Sequence, residues 1–534
     1  MDIRVPFIRR LVLTGCVLSL ASLLYSQTEV PADEVTQESL KFTQAYSALE
    51  ENYMEPLDPD RTIFDGGIRG MLSTLDPFSS FFDPEQFEQL QQFARGTARG
   101  FGTILYVSPG KVLVLQTAQG SPSWRAGLGP GDEIVEVNGT RLDRLNLPSL
   151  IELLQRARSQ PARLGVIHPG RVVAQDFELN PAEVSTATVD KAFLLQPGFA
   201  YLHLTSFDQK TPQEVSDALS RLGGPSLKGL LLDLRDNRGG VLDAAIAIAS
   251  IFLKPDLLVL TQRGRAVAEK SFRTFTVPAH FELPLVVLLN GNTASAAEVL
   301  TAALQEHDRA LIAGEPSFGK GVVESVAALS QKTGLALTTA QYFTPSGRSI
   351  QRPMPGTGLE APRAGLAVAS HPSQAFRTDS GRPVAAGGGI TPDVAIPAPA
   401  RDPWVTFLNQ RGAFTGFASE YLTTHGKVNQ SFAPDAPVLD LFRDYLGQQR
   451  IRVPEEYWTQ DQDYLKLKIK AEVFSLVFGL AFGDEVETRG DPQVQKAARL
   501  FPRIPTLLRP PAATPTGAHG QQTAATGAAE VART

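Results

Sequence analysis

The spacing of hydrophobic positions along this chain changes repeatedly, and each change marks a new kind of element. Over residues 34–95 the apolar side chains Phe42, Tyr46, Leu49 and Tyr53 recur three to four apart on one face, which predicts a helical region. Residues 96–183 break into short apolar runs, Ile104 to Val107, Val112 to Leu115 and Ile134 to Val137. Turn signals such as Ser108-Pro109-Gly110 and Pro130-Gly131-Asp132 separate them. That pattern predicts a small β-rich domain, with one helix over Leu147 to Ala157. Over 184–400, compact apolar strands (Phe199 to Leu204, Gly229 to Leu234, Leu285 to Leu289, Ala310 to Ala313) alternate with helical stretches at Pro212 to Leu222 and Leu242 to Phe252. Such alternation predicts an α/β core with a partly parallel sheet. Helical spacing returns in Trp404, Phe407 and Leu408, in Leu439, Phe442, Tyr445 and Leu446, and from Tyr464, Leu465 and Ile469 through Val477. A helical C-terminal domain over 401–508 is expected. The Ala-, Thr-, Gly- and Pro-rich tail, 509–534, reads as disordered, and segment 352–388 as a mobile insertion.

Composition adds class and compartment. A chain of 534 residues, 43% hydrophobic and 20% charged, can bury cores in several domains. Its net charge of −6, with no long basic run beyond the N-terminus, gives nucleic-acid binding no support. The chain opens with Arg4, Arg9 and Arg10 and then an apolar run to Leu24. This is a signal-peptide plan over 1–26, shorter than the ~20 apolar residues of a comfortable membrane span. Export to the periplasm or cell envelope is expected. Cys16, the only cysteine, lies in Leu13-Thr14-Gly15-Cys16, which is similar to a lipobox. A lipid anchor there, or a retained N-terminal membrane tether, is the alternative, and cleavage leaves a mature chain without disulfides.

Candidate chemistry concentrates in LVVLLNGNTASAAEVLTAAL and the following GEPSFGKG. A strand, a tight turn and a helix starting near Ala296 put Ser295 beside a helix N-terminus, where free N–H groups and the helix dipole favour negative charge. Lys320 lies in a glycine-flanked loop whose backbone can approach another segment closely. Serine at such a terminus with lysine as base is the minimum equipment for acyl transfer without histidine. The lysine must then be neutral during attack, and burial could lower its pKa from ~10.4 by several units. The seven histidines offer no competing base: none sits in a Gly-x-Ser-x-Gly setting, and no HExxH or paired His/Cys spacing suggests a metal. His307, nearest the serine, reads as a satisfied surface residue. No cofactor is expected.

The wider chain resembles the carboxyl-terminal processing peptidases, serine–lysine proteases with an inserted PDZ domain. The resemblance runs in order through GMLSTLDPFSSFFDPEQFEQL, GFGTILYVSPGKVLVLQTAQGSPSWRAGLGPGDEIVEVNG, GLLLDLRDNRGG, the serine segment, GEPSFGKG, and LALTTAQYFTPSGRSIQ with GGGITPDV. It implies a crotonase-like (ClpP/crotonase) α/β core over 184–400, a PDZ domain over 96–183, and helical regions at either end. It implies Ser295 as nucleophile, Lys320 as general base, and an oxyanion hole from the N–H of Ala296 with Gly239 or Gly240. Gly100, Phe101, Gly102 and Thr103 resemble the PDZ loop that receives a peptide's terminal carboxylate while the peptide adds to the sheet edge. Asp233 and Arg235 read as braces of the glycine turn, and Asp76 and Pro77 as a helix stop. Implied partners are protein or peptide substrates bound through their C-termini, and a regulatory adaptor. The alternative on this fold is an inactive PDZ scaffold or a hydrophobic-ligand carrier. Two departures stand out. Arg238 replaces a frequent proline, and Glu324 stands where many relatives carry a glutamine that orients the lysine. Strand alternation from Lys320 puts Glu324 on the lysine's side. A carboxylate there stabilises the ammonium, so Glu324 is protonated, or turns away, or the enzyme prefers alkaline pH.

Overall fold

The computed structural model describes residues 32–359, 376–400 and 402–508. The expected signal segment with Cys16, the tail 509–534 and part of the 352–388 insertion lie outside them.

The N-terminal region starts with α1 (Ala32–Asn52). A π-helical stretch, Asp60–Ile68, then runs into α2 (Arg69–Ser73), followed by a short strand β1 (Ser80–Phe82) and α3 (Pro84–Ala94). The strand was not legible in the helical spacing, because its partner lies in the peptidase core. The apolar face of α1 stays largely open to solvent: Phe42, Leu49 and Tyr53 are all exposed.

A two-stranded ribbon leads into and out of the next domain, β2 (Thr97–Gly100) pairing antiparallel with a strand at Ala182–Ser185. Between them lie β3 (Thr103–Ser108), β4 (Lys111–Thr117), β5 (Glu133–Val137), helix α4 (Leu147–Ala157), β6 (Ala162–Ile167) and β7 (Gln175–Leu179). The sheet order is β3-β4-β5-β6-β7, which leaves β3 on an edge. Val112, Val114, Ile134, Leu150, Leu164 and Val166 fill its core.

We number the ribbon's return strand β8. The peptidase core follows with β9 (Val189–Gln196), β10 (Phe199–Leu204), α5 (Thr211–Leu222), β11 (Gly229–Asp233), α6 (Leu242–Phe252), β12 (Leu258–Arg263), β13 (Lys270–Arg273), β14 (Leu285–Leu289), α7 (Ala296–Glu306), β15 (Leu311–Gly314), β16 (Val322–Ala328), β17 (Gly334–Phe343) and β18 (Val394–Ala395). The main sheet runs β9-β10-β11-β14-β15-β18, parallel throughout except at β9. Strands buried on both faces read as unbroken apolar runs, which is why Leu285–Leu289 shows no alternation. Helices α5, α6 and α7 cover one face. A second sheet joins β1, β17, β12 and β13, with β16 paired to β17.

The other face of the main sheet belongs to the end of the chain. Helices α8 (Pro403–Gln410), α9 (Ala413–His425), α10 (Ala436–Gln448), α11 (Gln462–Phe478), α12 (Leu480–Gly490) and α13 (Pro492–Ala498) follow in order, with a short helix, Glu455–Gln460, before α11. Trp404, Phe414, Phe417, Phe442 and Trp458 form a core of their own. Val494, Ala497, Leu500, Phe501 and Ile504 instead pack on Tyr201, Leu231, Val286 and Leu288 of the sheet.

Candidate active site

Strand β14 delivers the chain to the turn Asn290–Ala294, and α7 begins at Ala296. Ser295 sits between them at φ 57°, ψ −121°, a region that non-glycine residues rarely adopt. A strained strand-to-helix turn is a recurring way to present a nucleophilic hydroxyl. The side chain is partly exposed, whereas the whole of α7 behind it is buried.

The turn is fixed by Glu298, in the first turn of α7, a residue for which the sequence suggested no catalytic role. Its side chain is fully buried. One oxygen accepts the Ser317 hydroxyl at 2.5 Å and the Gly319 N–H at 2.7 Å; the other accepts the N–H groups of Ser295 and Lys320, both at 2.9 Å. Burial raises the pKa of this carboxyl, and the four hydrogen bonds oppose that rise. The signal available in the sequence was a glutamate three residues after a serine at a helix start, the capping-box spacing.

The same carboxylate thus holds both candidate residues by their backbones. Tyr342 adds a second tie: its hydroxyl donates to the Lys320 carbonyl and lies 3.4 Å from the Ser295 carbonyl. Burial holds the phenol's pKa well above its ordinary value, so it stays a donor. The glycines beside the lysine serve close approach, as expected: a Cβ on Gly321 would stand 2.7 Å from the Gln351 nitrogen, and one on Gly319 2.9 Å from the Arg352 Cβ.

Lys320 Nζ lies 2.5 Å from Glu324 Oε1, close in distance and off-axis for a hydrogen bond. Opposite the step from Val323 to Glu324, β17 carries one extra residue, Thr339, as a bulge. The alternative in which Glu324 turns away is therefore excluded. The other face of the ammonium meets the ring of Phe78, 4.5 Å from its centroid.

The glycine turn packs against the serine turn. Asp236 Oδ1 accepts from the side chains of Asn290 and Asn292, Thr293 donates to the Leu234 carbonyl, and Ala294 N–H donates to the Asn237 carbonyl. A Cβ on Gly239 would fall 2.8 Å from the Ser295 Cβ and 2.9 Å from the Ala296 nitrogen, so only glycine fits. The two glycines differ in what they offer. Gly239 is buried and its N–H already donates to Asn237 Oδ1 at 2.8 Å. Gly240 is exposed, and among the described residues neither its N–H nor that of Ala296 has a hydrogen-bond partner. Asp233 and Arg235 brace the turn at 2.6 Å, and Arg235 also reaches Asp491 and Gln493 near α13. Arg238 is exposed.

Two expectations are revised. His307 is satisfied, by Asp379 and the Leu258 carbonyl at 2.8 Å each, but its side chain is 7% exposed and braces the interior rather than the surface. Asp76 does more than stop a helix: it accepts the N–H groups of Phe78 and Ser79 and the hydroxyls of Ser79 and Thr338.

Of the PDZ residues, Gly100 ends β2, Phe101 is buried in the domain core, and Thr103 opens the edge strand β3. Gly102 has φ 75°, and a Cβ there would meet the Ser121 Cβ at 2.3 Å. Exposed apolar side chains stand on β3 (Ile104) and on α4 (Leu147, Ile151).

A parallel α/β core with a strained serine before a helix, joined to a small β-rich domain, defines a PDZ-bearing serine hydrolase. Comparison with known proteins makes this specific. The description "Peptidase family S41" matches residues 198–360, a PDZ domain matches 113–167, and the "Activating protease CtpB N-terminal domain" matches 19–86. The chain is 32% identical over 359 residues to the chloroplastic C-terminal processing peptidase of Tetradesmus obliquus, covering 60% of this chain and 77% of that one. It is 33% identical over 341 residues to the carboxyl-terminal-processing protease of Synechocystis sp., covering 62% and 79%. A solved photosystem II D1 C-terminal processing protease aligns with 67% of this chain and 93% of its own, at 26% identity and a TM-score of 0.36. The chain belongs to the carboxyl-terminal processing peptidases of family S41. It is a serine-type endopeptidase.

Proposed function

We propose that this peptidase is exported and cleaves proteins near their C-termini with a Ser295–Lys320 dyad. The observation that carries this reading is the Glu298 carboxylate, which accepts the backbone N–H of both residues at 2.9 Å and so ties a strained serine to the lysine loop. In the neutral form, Lys320 takes the hydroxyl proton as Ser295 Oγ attacks the scissile carbonyl. The oxyanion is received by the N–H groups of Ala296 and Gly240, which have no hydrogen-bond partner among the described residues. The lysine then protonates the leaving amine, and water hydrolyses the acyl-enzyme. Gly100 to Thr103 and the edge strand β3 capture the substrate's terminal carboxylate.

The test is turnover of an unfolded protein by the full chain beside single variants. Ser295→Ala and Lys320→Ala each lose at least about 10⁴-fold in kcat with melting temperature retained. Lys320→Arg is equally inactive, because a guanidinium does not deprotonate near neutral pH. Rapid cleavage by Lys320→Arg would rule out the lysine base, and a wild-type chain that binds peptides without cutting them would point to a binding protein. Calorimetry tests the capture step: peptides with a free C-terminus bind more tightly than their amides.

A further inference from the structure

Residues 75–82 cross from the N-terminal region onto the peptidase core and are pinned at several points. The Leu75 carbonyl accepts the Gly358 N–H at 2.8 Å. Asp76 accepts the N–H groups of Phe78 and Ser79 at 2.8 Å and the Thr338 hydroxyl at 3.1 Å, while Thr338 N–H donates to Ser79 Oγ at 3.1 Å. The chain then continues as β1, in register with β17 through Phe81 and Leu335. The anchoring uses the backbone and the neighbours of Phe78, which leaves its half-buried ring free to meet Lys320.

We propose that Phe78, in the N-terminal region rather than the peptidase core, is a positioning residue for the lysine base. The proposal rests on the reading of Lys320 as base. A lysine amine rides on a flexible four-carbon stem, and one nitrogen must find one hydroxyl. Here it is held between a carboxylate oxygen at 2.5 Å and an aromatic face at 4.5 Å. An aromatic face attracts the ammonium through its quadrupole and, unlike a second carboxylate, offers the free amine no competing acceptor. It also keeps water off that side of the nitrogen. The N-terminal region therefore completes the active site, and Asp76, Ser79 and Thr338 set the height of the ring above the amine.

Phe78→Tyr, Phe78→Leu and Phe78→Ala in the full chain test this, with kcat and KM measured on a fluorogenic peptide ending in a free carboxylate. Displacing a reacting group by about 1 Å can cost about 100-fold, so Phe78→Ala is expected to lose kcat by about that factor and Phe78→Leu by about tenfold. KM stays within about twofold, and Phe78→Tyr, which keeps the ring, stays within about threefold of wild type in kcat. A merely structural ring would lower the melting temperature and leave kcat per folded molecule unchanged. Wild-type kcat in Phe78→Leu and Phe78→Ala, a loss confined to KM, or failure of tyrosine to restore kcat overturns the proposal. Lys320→Ala separates the two readings: if it is dead while Phe78→Leu is fully active, only the role of Phe78 falls. If Lys320→Ala is active, the lysine base falls and the role of Phe78 with it.

Discussion

Each oxygen of the Glu298 carboxylate receives two donors, Ser317 and Gly319 on one side, Ser295 and Lys320 on the other. No amide can do the same, since its NH₂ would point hydrogens at N–H groups. Leaving buried donors unpaired costs about 1–3 kcal/mol each. Glu298→Gln should therefore be no better than Glu298→Ala, both losing about 100-fold or more in kcat with a lower melting temperature; a Glu298→Gln enzyme with wild-type kcat would remove Glu298 from the site. Glu324 behaves oppositely. It meets the Lys320 side chain at 2.5 Å rather than a set of backbone donors. Glu324→Gln keeps the shape and drops the charge, so its kcat near pH 7 should equal or exceed that of wild type. A dead Glu324→Gln would mean the carboxylate itself is required. The placement of Ser295 before a helix, of Lys320 between close-packed glycines and of Glu324 on the lysine's side was legible because helix starts, tight turns and strand alternation are local signals. For Glu298 only the capping-box contact with Ser295 had a local signal; its bonds to Ser317, Gly319 and Lys320, like the contact of Phe78 with Lys320, join segments distant in sequence, and local spacing carries no record of them.

At the scale of elements, the strands and helices of the core were readable where each spans its apolar run: Phe199–Leu204, Leu285–Leu289 and Leu242–Phe252 have the bounds their sequence implies. Strand β1 was hidden because its three residues are a strand only by virtue of β17. Pairing between β9 and β10 also creates a titrating contact that no periodicity reveals. His203 on β10 meets Asp190 on β9 at 2.6 Å and the Arg235 carbonyl of the glycine turn at 3.2 Å. Burial opposes the imidazolium, yet Asp190, Asp233 and that carbonyl prevail, so its pKa lies above the ordinary 6.5. A raised histidine stabilises the fold fully below 6.5, and that contribution is lost as pH rises through the folded value. His203→Asn should therefore flatten the decline in stability as pH rises above 6.5, read from urea midpoints. An unchanged slope would mean that His203 does not titrate in that window.

For the whole molecule, the C-terminal helices join parts that are otherwise separate. They contact the PDZ domain through Tyr106 to the Gly412 carbonyl and Lys111 to Ser419, each at 2.9 Å, and the glycine turn through Asp491 and Arg235 at 2.7 Å. Phe501 lies 4.9 Å from Phe199 between ring centroids and closes the sheet over Gly229. Phe501→Ala should cost about 3–5 kcal/mol in urea unfolding. A loss under about 1 kcal/mol would show that the sheet's second face tolerates exposure. This arrangement also orders events in time. Synthesis proceeds from the N-terminus, so Ser295, Lys320 and the glycine turn leave the ribosome before the residues that cover Tyr201, Leu231 and Val286. Until Val494 to Ile504 arrive, the parallel strands show an oily flank to water and Arg235 lacks Asp491. The support of the glycine turn by Asp491 is therefore expected to be the last part of the site to be put in place.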